Sequence, residues 1–336
     1  MTNTIDTTKA AWRVQAQGAG SFLPIQIISL QVDSVTEFEI FVRSKPDETP
    51  VLYRAKDLAF TEDALQRLAE NKITHLYIRS SDERAYHRYM QQNLSSILSR
   101  PDIDKEVKSV LLYDSAQSLV KEIMQDPRSG EAIRRSKNLV ETTVSYLYAE
   151  RDAFEHLLKV TSFDYYTYTH SVNVFVFSVT LAQRVGLGDP EHMRDFGDGV
   201  LLHDVGKSML DPVIINCRGK LSKKQWESMK LHPVHGYEIL RRQGALADAA
   251  LDVVRHHHEK LQGGGYPDGL QGDQIGPWVR ICTICDIFDA LTSKRSYKPA
   301  MQSFPALALM KDEMLNDLDR EYFRAFVDMM GHPSAT

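Results

Sequence analysis

The tightest constraint on this chain is the placing of histidines and aspartates inside apolar helical stripes between residues 161 and 325. In YTYTHSVNVFVFSVTLAQRVG, helical spacing puts His170 on one face with Val174, Phe177 and Leu181. A single histidine on such a stripe is more often a satisfied core residue than a ligand. In DFGDGVLLHDVGK, Phe196 and Val200 lead by the same spacing to His203 and Asp204, at the buried end of a helix that Gly206 closes. A buried carboxylate must be paired or bound to a metal, because an unpaired one costs several kcal/mol. Lys207 follows, within reach of a phosphate. His232 precedes Pro233, which suits a first helical turn, while His235 reads as a surface residue.

The stretch RHHHEKLQGGGYPDG adds three consecutive histidines. The apolar face of ALADAALDVVRHHHEK runs through Leu246, Ala250, Val253 and Val254 and centres on His257. His256 and His258 flank it on opposite sides, and periodicity does not choose between them. In WVRICTICDIFDALTSKRSYKPA, Asp286 and Asp289 are three apart and share a face. Capping or pairing with Arg295 would account for Asp289, whereas Asp286 in so apolar a run calls for a metal. Imidazoles and carboxylates without a thiolate cluster suit iron, manganese or zinc. A bridging carboxylate between two sets of nitrogen ligands builds a binuclear centre, which acidifies a bound water and clamps the oxygens of a displacement at phosphorus.

Composition narrows the partners. The net charge of −5 gives no general attraction to nucleic acid, so positive charge for an anionic substrate must be local. Three cysteines argue against a disulfide framework and suit the cytosol. Cys282 and Cys285 form a C-x-x-C pair inside an apolar helix, where they read as small packing residues. No apolar run is long enough to span a membrane, and MTNTIDTTKAAWR lacks the apolar core of a signal peptide. A cytoplasmic location is expected.

Along the chain, residues 1–20 read as disordered and residues 21–100 as a small α/β regulatory domain. FLPIQIISLQV, FEIFV, VLYRA and ITHLYIR read as strands there, and TEDALQRLAENK, capped by Thr61, and DERAYHRYMQQNLSSIL as helices. His75 and His87 stand alone and read as packing or surface residues. Residues 101–160 form a helical linker split by DPRSG. Such helices connect a sensor to an output unit and pair two chains into a homodimer, or fold as a hairpin within one monomer; both fit. Residues 161–325 read as nearly all helical, and 326–336 as a flexible tail.

HDVGK, KLHPVHGYEIL, HHEKLQGGGYPDGLQGDQI and DIFDALTSKRSYK occur in an order and spacing that resemble the HD-GYP family. That family is the cyclic di-GMP phosphodiesterase branch of the bacterial HD metal-dependent phosphohydrolases. The resemblance covers about half the chain and implies a mainly α protein, an all-helical HD-type bundle preceded by the α/β domain and connecting helices. It assigns one metal site to His170, His203, Asp204 and Asp286, and a second to Asp204, His232, His257 and His258, which leaves His256 as the extra histidine. Lys207 would touch the scissile phosphate, with Asp164, Asp289, Arg295 and Lys298 as further substrate contacts. Arg295 and Lys298 suit phosphate chemically.

The implied reaction is hydrolysis of cyclic di-GMP to linear pGpG, with a second cut to GMP left open. Iron or manganese is the implied metal. A diguanylate cyclase (GGDEF) protein is an implied partner of the GYP loop. Two departures stand out. Tyr166 replaces a glutamate that helps some members hold a third metal, so two metals are expected. Gln262 replaces an acidic residue that often precedes the loop glycines. Rival readings are a catalytically weak receptor or adaptor docking a partner through that loop, and a phosphohydrolase of another nucleotide.

Overall fold

The computed structural model describes residues 22–43, 45, 48–161, 166–217, 219–294 and 300–333. Helix dominates, and the chain divides at Leu111/Leu112 into two compact units. No helix among the described residues is long and apolar enough to cross a membrane.

The first unit is built on an antiparallel sheet in the order β1-β6-β3-β4, from β1 (Phe22–Gln26), β3 (Ile40–Val42), β4 (Val51–Arg54) and β6 (His75–Arg79). Two short strands, β2 (Ser34–Val35) and β5 (Ala59–Phe60), pair separately. Alternation sets the faces: Leu76 and Ile78 of β6 turn into the core, and His75 and Arg79 turn out. The first helix, α1 (Glu62–Glu70), starts where the Thr61 hydroxyl accepts the Ala64 N–H and acidic residues follow in the first turn. Helix α2 (Glu83–Ser99) adds Tyr89, Met90 and Ile97 to a core that holds Phe38, Ile40 and Phe60. FLPIQIISLQV does not continue as one strand. Ile27–Ser29 form a 3₁₀ turn in which the Leu30 N–H bonds to Ile27 O and the Ser29 hydroxyl to Gln26 O, diverting the chain.

The expected linker is not a separate connector. Helix α3 (Lys105–Gln125) contributes Val107 and Leu111 to the first core. Its later residues belong to the second unit, where the Tyr113 hydroxyl donates to Asn173 Oδ1 at 2.6 Å. After DPRSG, α4 (Gly130–Ala149) and α5 (Ala153–Val160) are distinct helices, broken at Glu150–Asp152. Leu139, Val140 and Val144 on α4 are buried.

Two helices buried along most of their length form the centre of the second unit. One is α6 (Thr167–Arg184), buried from Thr169 to Ala182. It packs against α7 (Pro190–Leu201) and against the other, α12 (Pro277–Thr292). A helix buried on all its faces belongs in a core, where a charged or strongly polar side chain needs a partner. Between them lie α8 (Pro212–Ile215), α9 (Lys223–Met229), α10 (His232–Gln243) and α11 (Asp248–His256). Asp189 caps α7 by accepting the Glu191 and His192 N–H groups.

Missing Cβ atoms set the spacing. At Gly199 a Cβ would stand 2.6 Å from Ala250 O on α11, and at Gly206 it would stand 2.0 Å from His232 O on α10. These contacts draw the α7 end, α10 and α11 together. The expected tail is also ordered in part. After α13 (Ser303–Leu309), α14 (Arg320–Gly331) buries Phe326 and Met329, with Phe326 edge-on to Phe177 and Phe288. Residues 1–20 lie outside the described residues.

Candidate metal centre

The structure brings His170, His203, Asp204, His232, His257, His258 and Asp286 into one cluster. Helix α6 supplies His170 and α12 supplies Asp286. His203 and Asp204 are not on a helix, as their sequence had suggested. Helix α7 ends at Leu201, and the pair occupies the turn before a 3₁₀ segment, Val205–Met209. His232 opens α10, and His257 and His258 follow the last residue of α11. Leaving the helix frees His203, Asp204, His257 and His258 from its fixed spacing.

Two sets of donor atoms lie close enough to hold a metal ion: His170, His203 and Asp204, and His232, His257 and His258, each set with its atoms within 4.8 Å of one another. Asp204 stands between them. Its Oδ2 is 3.6 Å from both His170 Nε2 and His203 Nε2, and its Oδ1 is 3.2 Å from His232 Nε2. Asp286 joins the first set, with Oδ1 3.0 Å from His170 Nε2, and reaches toward the second, with Oδ2 3.6 Å from His258 Nδ1.

The hydrogen bonds behind the rings fix their protonation. His203, His232 and His257 each place Nδ1 at 2.7–2.9 Å from a backbone carbonyl, of Val200, Met229 and Val254 respectively. A carbonyl only accepts, so each Nδ1 carries the proton and each Nε2 is left with a lone pair. Those Nε2 atoms point inward. His232 Nε2 and His257 Nε2 are 3.2 Å apart, and His203 Nε2 and Asp204 Oδ1 are buried with no hydrogen-bond partner. Acceptors converging in a buried space need cations among them, which is the condition that divalent metals satisfy. Burial pushes His203 down, His257 well below the usual imidazole range, and His258 down to about 3, so the rings stay neutral ligands. Burial alone would raise Asp204, but Lys207 and the surrounding imidazoles outweigh it and hold the carboxyl well below its usual range. Lys207 Nζ sits 2.5 Å from Asp204 Oδ2.

Asp289 requires a correction. It was expected among the substrate contacts, yet it is fully buried behind His170. Its Oδ2 takes the His170 Nδ1 proton at 2.7 Å and the Ser293 hydroxyl at 3.0 Å, and its Oδ1 takes the Asn173 amide at 2.7 Å. It orients the His170 ring from behind. Asp164, Arg295 and Lys298 lie outside the described residues. Tyr166 is 58% exposed and stacks on Tyr168. Cys282 and Cys285 are buried, and burial raises both thiols, as packing cysteines require.

The loop after the histidines is held by residues whose roles sequence reading missed. Glu259 is buried and accepts three backbone N–H bonds, from Asp268 at 2.8 Å, Gly269 at 2.9 Å and Leu270 at 3.1 Å. His256 bridges Asp252 (2.7 Å) and Asp268 (2.9 Å), and Arg255 grips Asp268 with two bonds. Burial would lower His256, but the two carboxylates raise it, so it holds both as a cation. Gly263 and Gly264 have positive φ, and a Cβ at Gly265 would meet Glu259 Cα at 2.5 Å. The loop so shaped lays Tyr266 against His258, ring centroids 4.7 Å apart. Gln262 is exposed. The four-residue spacing of Asp252 and His256 was the available signal for this clamp.

Residues 165–322 match the family model described as the HD domain. The chain is 30% identical over 295 residues to a cyclic di-GMP phosphodiesterase of Pseudomonas aeruginosa, covering 84% of this chain and 71% of that one. It is 36% identical over 160 residues to a 3'3'-cGAMP-specific phosphodiesterase of Vibrio cholerae, covering 48% of this chain and only 34% of that one. Among solved structures, an HDG"Y"P protein from Bdellovibrio bacteriovorus superposes with a TM-score of 0.64 at 19% identity, covering 92% of this chain and 99% of that one, a likeness of fold.

Proposed function

Since this chain belongs to the HD-GYP family of HD-domain phosphohydrolases, we propose that it hydrolyses cyclic di-GMP to linear pGpG at a binuclear metal centre. The observation that carries the reading is the Asp204 carboxylate, with one oxygen facing His170 and His203 and the other facing His232. Seven residues would hold the metals: His170, His203, Asp204 and Asp286 on one side, and Asp204, His232, His257 and His258 on the other. Nitrogen and carboxylate donors without thiolate suit iron, manganese or zinc, and the family resemblance favours iron or manganese. When bound, such metals supply an acidified water and positive charge at phosphorus.

The chain's own groups prepare the reaction. Backbone carbonyls and Asp289 lock four of the five imidazoles, His170, His203, His232 and His257, in one tautomer, so their lone pairs need no reorganisation. Lys207, beside Asp204, is the side-chain cation that meets the scissile phosphate. Water adds to one phosphorus, the bond to the ribose 3′-oxygen breaks, and that oxygen leaves with a proton. Asp164, Arg295 and Lys298 are carried as substrate contacts on the family resemblance alone. A diguanylate cyclase partner at the GYP loop belongs to the same reading. Relatives named for cyclic di-GMP and for 3'3'-cGAMP both match, so 3'3'-cGAMP is the alternative substrate to test.

The test is turnover of both dinucleotides by anaerobically prepared protein loaded with iron or manganese, beside Asp204→Ala. Wild type should release pGpG and hold about two metals per chain, and the variant should lose turnover by about a hundredfold or more together with bound metal. Substrate binding with no turnover under any metal or redox state would sink the enzyme in favour of a receptor.

A further inference from the structure

Trp226 is a large apolar side chain left 45% exposed on α9, next to the candidate metal centre. Its ring stands edge-on to Tyr266, centroids 6.1 Å apart at 82°. Tyr266 in turn lies on His258 at 4.7 Å and stands edge-on to His232 at 6.5 Å. A row of rings therefore leads from two of the proposed metal ligands out to the surface, and Trp226 is its outer member. The short helix that carries Trp226 is fixed by a capping box, in which Ser222 and Gln225 each satisfy the other's backbone N–H. Trp226 is thus presented on a stiffened element.

The charge around it has the sign a phosphate ligand requires. Between residues 219 and 231 the sequence carries Lys220, Lys223, Lys224 and Lys230 against Glu227 alone, which Lys230 pairs at 2.9 Å, in a chain whose net charge is −5. Lys220, Lys223 and Lys224 are exposed. An exposed aromatic ring inside a basic segment is the combination that binds nucleotides: the cations draw the phosphates and the ring stacks a base.

We propose that Trp226, backed by Tyr266, is a stacking platform for one nucleobase of the cyclic dinucleotide whose phosphate enters the metal centre. This rests on the hydrolase reading above. Every base has a π face, so the platform contributes affinity without choosing guanine over adenine. Selectivity between dinucleotides must come from other contacts.

The experiment compares wild type, Trp226→Ala and Trp226→Phe, all metal-loaded, by steady-state kinetics and by calorimetric binding of cyclic di-GMP and 3'3'-cGAMP. Trp226→Ala should raise KM and Kd roughly tenfold or more for both dinucleotides, with metal content and Tm unchanged. The effect should fall on KM rather than kcat, and Trp226→Phe should restore most of the affinity. Unchanged KM and Kd in Trp226→Ala overturns the platform. So does a joint fall in kcat, metal content and Tm, which would make Trp226 a packing residue. A wild type that binds dinucleotide without cleaving it defeats the hydrolase reading while the Kd comparison still decides the platform. A wild type that neither binds nor cleaves either dinucleotide defeats both.

Discussion

His256, His257 and His258 are chemically identical neighbours given three different tasks by what stands behind each ring. His256 has a carboxylate at both nitrogens, Asp252 and Asp268, and so has no lone pair to offer a metal. His257 gives its Nδ1 proton to Val254 O and turns a bare Nε2 inward. His258 faces Asp286 on one side and carries Tyr266 on the other. Burial does not separate them in this way, because the side chain of His256 is 14% exposed and that of His258 is 26% exposed. The expected outcome for His256→Ala is full metal content, read by elemental analysis, whereas His257→Ala or His258→Ala should each lose about one metal per chain. Equal loss in all three would show that the clamp and the ligands have been misassigned. Hydrophobic periodicity finds His257 at the centre of its stripe and stops there. Choosing between its neighbours needs the position of Asp268, which lies across a loop that no helical period describes.

At the scale of elements, the loop from Glu259 to Leu270 is a template folded on one buried carboxylate. Both Glu259 oxygens accept backbone N–H groups, and three consecutive residues supply them. In Glu259→Gln, whichever way the amide turns, an NH₂ group opposes at least one N–H donor. That mismatch costs about 1–3 kcal/mol. Faster amide exchange should appear at residues 268–270, with α6 unchanged and the metals retained; unchanged exchange there would remove Glu259 from this role. Elements were legible where one period covers the whole segment, as in α6 and α12, whose apolar runs read as helix directly. Legibility failed where long-range contacts set an end. The α14 helix continues because Phe326 finds Phe177 and Phe288, both distant in sequence. Helix α7 stops before His203, although helical spacing leads straight to it. The candidate ligands were recognisable by their type and order, but Asp289 shows the limit: two carboxylates on one face read alike until Asn173, Ser293 and His170 are seen to occupy one of them.

For the molecule as a whole, stability carries a pH dependence that originates outside the metal cluster. Asp198, on α7, is 2% exposed, and its Oδ1 has no hydrogen-bond partner. Burial lifts its carboxyl to about 7, against the opposing pull of Lys137. Lys137 gives a hydrogen bond to Ala245 O. In the unfolded chain an aspartate releases its proton near pH ~4. Between pH ~4 and pH ~7 the folded protein therefore holds a proton that the unfolded chain has lost, and stability falls as pH rises through this window. Below it the group contributes its full stability, and above it the loss levels off. A shift of this size corresponds to about 4 kcal/mol as an upper bound. Asp198→Asn keeps the side chain uncharged at every pH. The variant should match wild type near pH ~4 and exceed it by about 1–4 kcal/mol near pH ~8, in urea unfolding at saturating metal. The metal ligands titrate alike in both proteins, so the difference between them isolates Asp198. A difference that stays flat across the range would show that the ionised carboxylate is compensated within the fold.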